Sequence, residues 1–444
     1  MTLGEEATKT ALKTRLAAIS NVTDVIKKKI KEDANVVFLK EYEQWGNNSG
    51  VVLGRNQNSN HLKLDGSMEH VLNVGPGRSG KTAGPVMCTG YVWNDSAYFF
   101  DEHGEIWKNT AIYREQNFGQ KIIRFEPFST NGTSAKWNPL AEIDFHDPDV
   151  EKDLDYLTRI ILDYPKESGD TFYYDYSSMF LSALILYMVY DLNKISKLIS
   201  LSDVYKFLNS YVDKKDVLFN KLNDSCNKTV SKKASMLLNL SKKYLTEVYL
   251  ATVNPLSFYA DSINNNIVSS DFKISDLLEQ NISLYFVADL YDSRFKRFSR
   301  LFHSMLIYKL TKNTNSDTRV LLCLDGLGNL GFNRLQPFYQ LYKTLPYFKS
   351  YGIKLFITAT NYGEFKETIP ENDIYMFLKL FKVFIFYRNR FLNPFHDIEP
   401  LLQYFQELET IPFKSDEALV YYPNKAPFVI KKVYYFLYDF LHKK

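Results

Sequence analysis

Residues 75–82 read Gly75-Pro76-Gly77-Arg78-Ser79-Gly80-Lys81-Thr82 and fit the pattern G-x-x-x-x-G-K-[ST]. This pattern works as the turn between a strand and a helix. Its glycines take backbone angles that a side chain forbids. Successive amides then point inward and can hold phosphate oxygens, and the start of the next helix adds its positive dipole end. An apolar run, His70–Val74 (HVLNV), precedes the turn and a helix-compatible stretch follows it. In that setting Lys81 is expected to neutralise terminal phosphates and Thr82 to ligate Mg2+. The competing reading is a glycine-rich turn with no ligand. Pro85 falls at the limit of the first helical turn, where it is expected to kink the helix.

Such chemistry also needs a carboxylate beside the cation, at the end of a neighbouring apolar strand. Val320–Asp325 (VLLCLD) supplies Asp325, whose bland alternative is an Asp-Gly turn after a buried strand. The residue that follows is Gly326. Fast hydrolysis usually needs a water-polarising base, so either hydrolysis is slow or another carboxylate substitutes. Glu102, which follows Asp101 at the end of the apolar run Ala97–Phe100, and Glu105 are the candidates.

Strand-like runs at Val71–Val74, Ala97–Phe100, Lys121–Phe125, Ser283–Val287, Arg319–Leu324, Lys354–Thr358 and Val383–Tyr387 are mostly separated by helical patterns. That alternation predicts an α/β fold, a parallel sheet covered on both faces. Two shorter strands around a turn are expected between residues 50 and 75. From about 146 to 258 the strand signals stop, and helical patterns run over 150–163, 173–191, 201–221 and 231–251. Three units follow: an amphipathic helical segment at 1–49, an α/β nucleotide-binding domain at 50–145 and 259–444, and an all-α insertion at 146–258. Within the insertion, residues 147–191 carry ten acidic and three basic side chains, whereas 192–245 carry eleven lysines and four aspartates. A solvated face is the default reading of such a run; a surface for phosphates or an acidic partner is the sharper one.

Net charge is +3, too small to announce nucleic-acid binding by itself. The three cysteines, Cys88, Cys226 and Cys323, form no CxxC pair, so neither a zinc site nor a disulfide framework is supported. No stretch reaches the roughly 20 apolar residues of a membrane-spanning helix; Met179–Val189 reads instead as a buried core helix. Aromatic residues make up 16% of the chain but do not alternate with basic ones, which favours packing over base stacking.

Taken in order, EHVLNVGPGRSGKT (69–82), DEHGEIW (101–107), WNPL (137–140), the helical stretch 172–191, SSDFKISDL (269–277), RLFHSMLIYKL (300–310), LLCLDGLGNLG (321–331), YGIKLFITATN (351–361) and the tail 416–436 resemble the TraG-like coupling proteins of type IV secretion and conjugation. The likeness covers about residues 50–436. It implies a RecA-like P-loop core of mainly parallel sheet with an inserted all-α domain. It also implies ATP and Mg2+ as ligands, and hexamers in which neighbouring subunits close each site. The cargo would be DNA or secreted protein, and the partners secretion-system components at the cytoplasmic face of the inner membrane. Four departures are notable. Gly326 stands where relatives carry a glutamate, Thr360 where they carry glutamine, and His103 where they carry lysine. The N-terminal transmembrane pair has no counterpart, so a separate membrane anchor is expected, reached through residues 1–45. Lys349 lies near the place of a trans-acting arginine in some relatives. The alternatives are a non-hydrolysing nucleotide-gated adaptor of the same system and a DNA-translocating motor outside secretion.

Overall fold

A computed structural model of the chain describes residues 43–45, 49–57, 61–163, 171–192, 199–260, 262–290, 292, 294–312, 318–388, 408, 411–423 and 425–437. Among the described residues the chain forms twelve strands: β1 Glu43–Trp45, β2 Val51–Arg55, β3 Leu62–Asp65, β4 His70–Val74, β5 Ser96–Asp101, β6 Lys121–Phe125, β7 Ile282–Val287, β8 Val320–Asp325, β9 Ile353–Ala359, β10 Phe381–Tyr387, β11 Glu417–Tyr421 and β12 Phe428–Lys431. Each of the seven expected apolar runs falls on one of β4 to β10. They form one sheet in the order β1-β3-β2-β12-β11-β10-β4-β9-β8-β5-β7-β6. From β10 to β6 every neighbouring pair is parallel. Beyond β10, pairing turns antiparallel through β11, β12, β2 and β3.

The parallel strands are near-continuous apolar runs because both of their faces are covered. Side chains alternate between two cores. Leu72, Val74, Tyr98, Phe100, Leu322 and Leu324 face one, and Val71, Ala97, Phe99, Leu321 and Cys323 face the other. Helices α1 (Met87–Val92) and α2 (Glu105–Phe118) contribute Met87, Cys88, Tyr91, Ile106 and Ala111 to the second core.

The first core continues into a helical region: α3 Val150–Leu162, α4 Phe172–Tyr190, α5 Leu201–Asn209, α6 Lys215–Asn223, α7 Lys228–Leu238 and α8 Lys242–Leu256. The stretch read as one helix over 201–221 breaks after Asn209, and the one over 231–251 is divided at Asn239–Ser241. At the second break the Ser241 side chain accepts from Tyr244 N and starts a new helix. Short polar side chains that bond to nearby backbone favour such ends over helix interiors. The helical region docks on α9 (Phe295–Lys312). There the Tyr156 and Tyr308 rings stack with centroids 4.0 Å apart, and Asp153 accepts from Tyr308 Oη at 2.7 Å and from Lys312 Nζ at 2.9 Å. Met179–Val189 lies inside α4 and is largely buried. Among the described residues no helix is long and apolar enough to cross a membrane.

Most of residues 1–45, read as helix, lie outside the described residues. At the end of that stretch the reading is corrected: Glu43–Trp45 is a strand, paired in parallel with Lys63–Asp65. The antiparallel wing is tied to the parallel sheet by a buried ion pair. Lys354 Nζ donates to Asp65 Oδ2 at 2.6 Å and to Ser67 O at 2.6 Å.

Candidate functional site

The strand order decides which ends meet. β9 lies between β4 and β8, and β5 lies beyond β8, all parallel. Their C-terminal ends therefore share one edge, the position where open α/β sheets bind ligands. The residues after β4 (75–82), at the end of β8 (Asp325) and after β5 (Glu102) come together there.

The loop after β4 is anchored by Gly75 N, which donates to Ala359 O at 3.1 Å. A Cβ on Gly75 would press on the Tyr387 side chain. Pro76 O accepts from Ser79 N at 3.2 Å, which closes the turn. Gly77 and Arg78 are exposed at its tip, Arg78 in the left-handed region with φ of 62°. Gly80 also has positive φ, 99°. The Ser79 hydroxyl is buried without a hydrogen-bond partner. Lys81 Nζ folds back over the loop and donates to Gly75 O at 2.5 Å and Pro76 O at 3.1 Å. Burial pulls its pKa below the usual lysine value, opposed by Asp325, Glu364 and Glu102.

Pro85 kinks the start of the helix, as its position predicts, and widens the turn there. Proline has no N–H to give Lys81 O, and Val86 N reaches that oxygen instead at 3.3 Å. The result is one π-type turn over Thr82–Val86, with Gly84 at φ −98° and ψ −107°, before α1 begins.

Thr82 Oγ1 donates to Asp325 Oδ2 at 2.6 Å. Thr358, the register partner of Asp325 on β9, donates to Oδ1 at 2.7 Å and accepts from Gly326 N at 2.9 Å. Burial raises the Asp325 carboxyl above the usual carboxylate range, opposed by these two hydroxyls and by the Lys81 ammonium. A carboxylate and a hydroxyl in contact are hard oxygen donors suited to Mg2+, which commonly takes one or two protein ligands and completes its shell from water and phosphate. Among the described residues no group of three or more His, Cys, Asp and Glu could hold a metal, so a cation here would rely on oxygens of its phosphate ligand.

Glu102 reaches across the mouth of β8. Its Oε1 accepts from Asn329 Nδ2 at 2.6 Å, and a Cβ on Gly326 would collide with that same oxygen. Burial raises the Glu102 carboxyl to about 7; Asn329 opposes the rise, and Asp325, Glu364 and Asp101 add to it. Glu102 also lines a cleft of about 410 Å³ with His103, Trp107, Arg124, Glu126 and Asp289. Glu105, the other candidate, is exposed in the first turn of α2.

Lys349 is not brought to this edge. It sits before β9 and pairs at 2.5 Å with Glu69, which precedes β4, at the opposite end of the strands from the loop. Three contributors escaped the sequence reading: Thr358, Asn329 and Glu364, whose carboxylate accepts from Gly328 N at 3.3 Å. Their signal is a cross-strand register and loop contacts, neither of which is written in local sequence.

A family model described as type IV secretory system conjugative DNA transfer matches residues 18–390. A conjugal transfer protein TraG of Escherichia coli is 26% identical over 342 residues, 72% of this chain and 53% of its own length. A second E. coli TraG is 25% identical over 343 residues. The chain thus spans about half the length of the curated relatives it matches. Among solved structures, plasmid coupling protein TrwB in complex with ADP and Mg2+ superposes with a TM-score of 0.61 at 13% identity, over 87% of this chain and 89% of that one. VirB4 of Thermoanaerobacter pseudethanolicus superposes with a TM-score of 0.52 at 14% identity, over 87% and 97%. The fold is therefore the RecA-like one of these proteins.

Proposed function

The chain belongs to the type IV secretory system conjugative DNA transfer family, and from that premise we propose that it is an ATP-dependent coupling protein that brings DNA or protein cargo to a secretion channel. The carrying observation is the meeting of Lys81, Thr82, Asp325 and Glu102 at one edge of the parallel sheet. TrwB in complex with ADP and Mg2+, and with a non-hydrolysable ATP analogue, supports ATP and Mg2+ as the ligands here.

In this reading the amides of 77–82 cradle the phosphates, and the Lys81 ammonium leaves the Gly75 and Pro76 carbonyls to meet their charge. Thr82 and Asp325 would hold Mg2+, which draws charge off the phosphate oxygens when bound. Thr358 fixes the Asp325 carboxylate by its hydrogen bond to Oδ1. Glu102 takes the proton of the attacking water. Its raised pKa places the carboxyl near neutrality, where a base both ionises and accepts a proton effectively. Asn329 orients that carboxylate.

Lys349, paired with Glu69 away from its own site, is assigned to a neighbouring subunit's site by the family resemblance alone. Cargo contact is assigned to exposed lysines of the helical region, Lys214 and Lys232 among them. Lys233 is engaged internally, 3.5 Å from Glu151 and donating to Ser182. The three-unit division and the attachment to a membrane partner through residues 1–45 complete the proposal. Phosphate release with Mg-ATP and single-stranded DNA tests it. Turnover is expected in the wild type and absent in Lys81→Ala; equal turnover in both overturns the reading.

A further inference from the structure

The last described segment of the chain crosses the phosphate loop. β12 ends at Lys431, and the next residues press on the loop glycines. The Tyr434 ring stands 2.8 Å from where a Cβ on Gly80 would be, and Val433 O stands 2.6 Å from one on Gly84. A side chain at either position would push this strap away. Just before Val433 and Tyr434 in the chain, Lys432 turns inward. It is 5% exposed, and its ammonium donates to Ser79 O at 2.8 Å and Arg388 O at 3.1 Å, over the Tyr387 ring. Both hydrogen-bond acceptors are backbone carbonyls.

Among the described residues no carboxylate hydrogen-bonds the Lys432 ammonium, and burying one so is costly. Burial pulls its pKa down to about 8, opposed by the Asp416 carboxylate and deepened by the Lys81 ammonium. A hydrophobic residue would fill the same space at less cost. The geometry suggests what the charge does. The Ser79–Gly80 peptide is trans, so its C=O and N–H point in opposite directions. With the carbonyl held by Lys432, the Gly80 N–H faces away from the strap. A cation on the carbonyl also polarises that peptide and strengthens its N–H as a donor.

We propose that Lys432 is a positioning residue of the phosphate loop. It locks and polarises the Ser79–Gly80 peptide so that Gly80 N–H is presented to an incoming phosphate. The closing strap, 353 residues away in sequence from Ser79, is thereby part of the nucleotide site. This rests on the nucleotide-binding reading above.

The test is calorimetric titration of the full chain with the Mg2+ complex of ADPNP, alongside thermal unfolding of the unliganded protein. Lys432→Met is expected to bind about tenfold more weakly, the size of one hydrogen bond to a charged group. Its unliganded melting temperature should change little, because relief of the ammonium's burial offsets the donor that Ser79 O and Arg388 O lose. Lys432→Arg, which restores a cationic donor, should recover most of the affinity. Should Lys432→Met fail to fold, Lys432→Leu, neutral and without a donor, carries the same comparison. Unchanged affinity in the neutral variant overturns the inference. So does a loss that tracks a lowered melting temperature and is not rescued by arginine, since that marks a merely structural role. Absence of binding by the wild type instead defeats the proposed function itself.

Discussion

Glu102 occupies the space that a side chain at Gly326 would need: its Oε1 is held by Asn329 at 2.6 Å, directly in the path of a Cβ on residue 326. The departure from the family pattern after Asp325 and the carboxylate on the neighbouring strand are therefore one arrangement. A glutamate at 326 and Glu102 in this pose exclude each other.

That exclusion is testable by a double-mutant cycle. Gly326→Ala should destabilise the protein and cut phosphate release. Replacing Glu102 by glycine in the same chain should remove the clash and recover part of the stability in urea unfolding. About 1 kcal/mol should remain lost, the cost of a non-glycine residue at φ 99°. Strictly additive effects of the two changes would contradict the contact.

Glu102→Gln should leave Mg-ATP binding intact and lower phosphate release by about a hundredfold or more, the size of a general-base contribution. The sign of the pH effect follows from the role. The carboxylate must be ionised to accept a proton, so wild-type turnover should rise with pH through about 7 and level off above it. In Glu102→Gln that limb should vanish from the residual rate.

Acid should weaken the fold through His303. Its ring is 1% exposed, meets Tyr98 Oη at 2.7 Å through Nε2 and donates from Nδ1 to Ser299 O at 2.7 Å. Burial lowers its pKa from 6.5 to about 4, opposed by the Ser299 carbonyl. Below pH 6.5 the unfolded chain takes up a proton that the folded one refuses, so stability falls as pH drops from 6.5 towards 4. The contribution is on the order of 3 kcal/mol. His303→Gln should flatten the dependence of the urea midpoint over that window; an unchanged slope would refute it. His70, also lowered to about 4 by burial, leaves a residual dependence in the variant.

Lys354→Met should destabilise by roughly 3–5 kcal/mol, because Asp65 then stays buried without its cation. The loss should appear in urea unfolding with no change in nucleotide affinity, since the pair joins the antiparallel wing to β9 at the end away from the loop. Changing Asp65→Asn as well should return much of it.

Much of the parallel sheet was legible in the sequence. Its strands are buried on both faces and read as apolar runs, and the loop at 75–82 marks the turn after one of them. Helix breaks at 210–214 and 239–241 were less legible, because a helical period continues across short polar interruptions. Glu102 and Glu105 could not be separated locally: they lie three residues apart, and only the contact with Asn329, from a loop after β8, selects Glu102.

By itself the sequence determined the phosphate loop, the acidic end of β8 and the two-sided burial of the parallel strands, since each depends on residue type within a few positions. Tertiary structure alone decided that Thr358 sits opposite Asp325, that Glu102 fills the space at Gly326 and that Lys432 closes over Ser79. Strand order and register set those distances, and they join residues too far apart along the chain for any local pattern to record them.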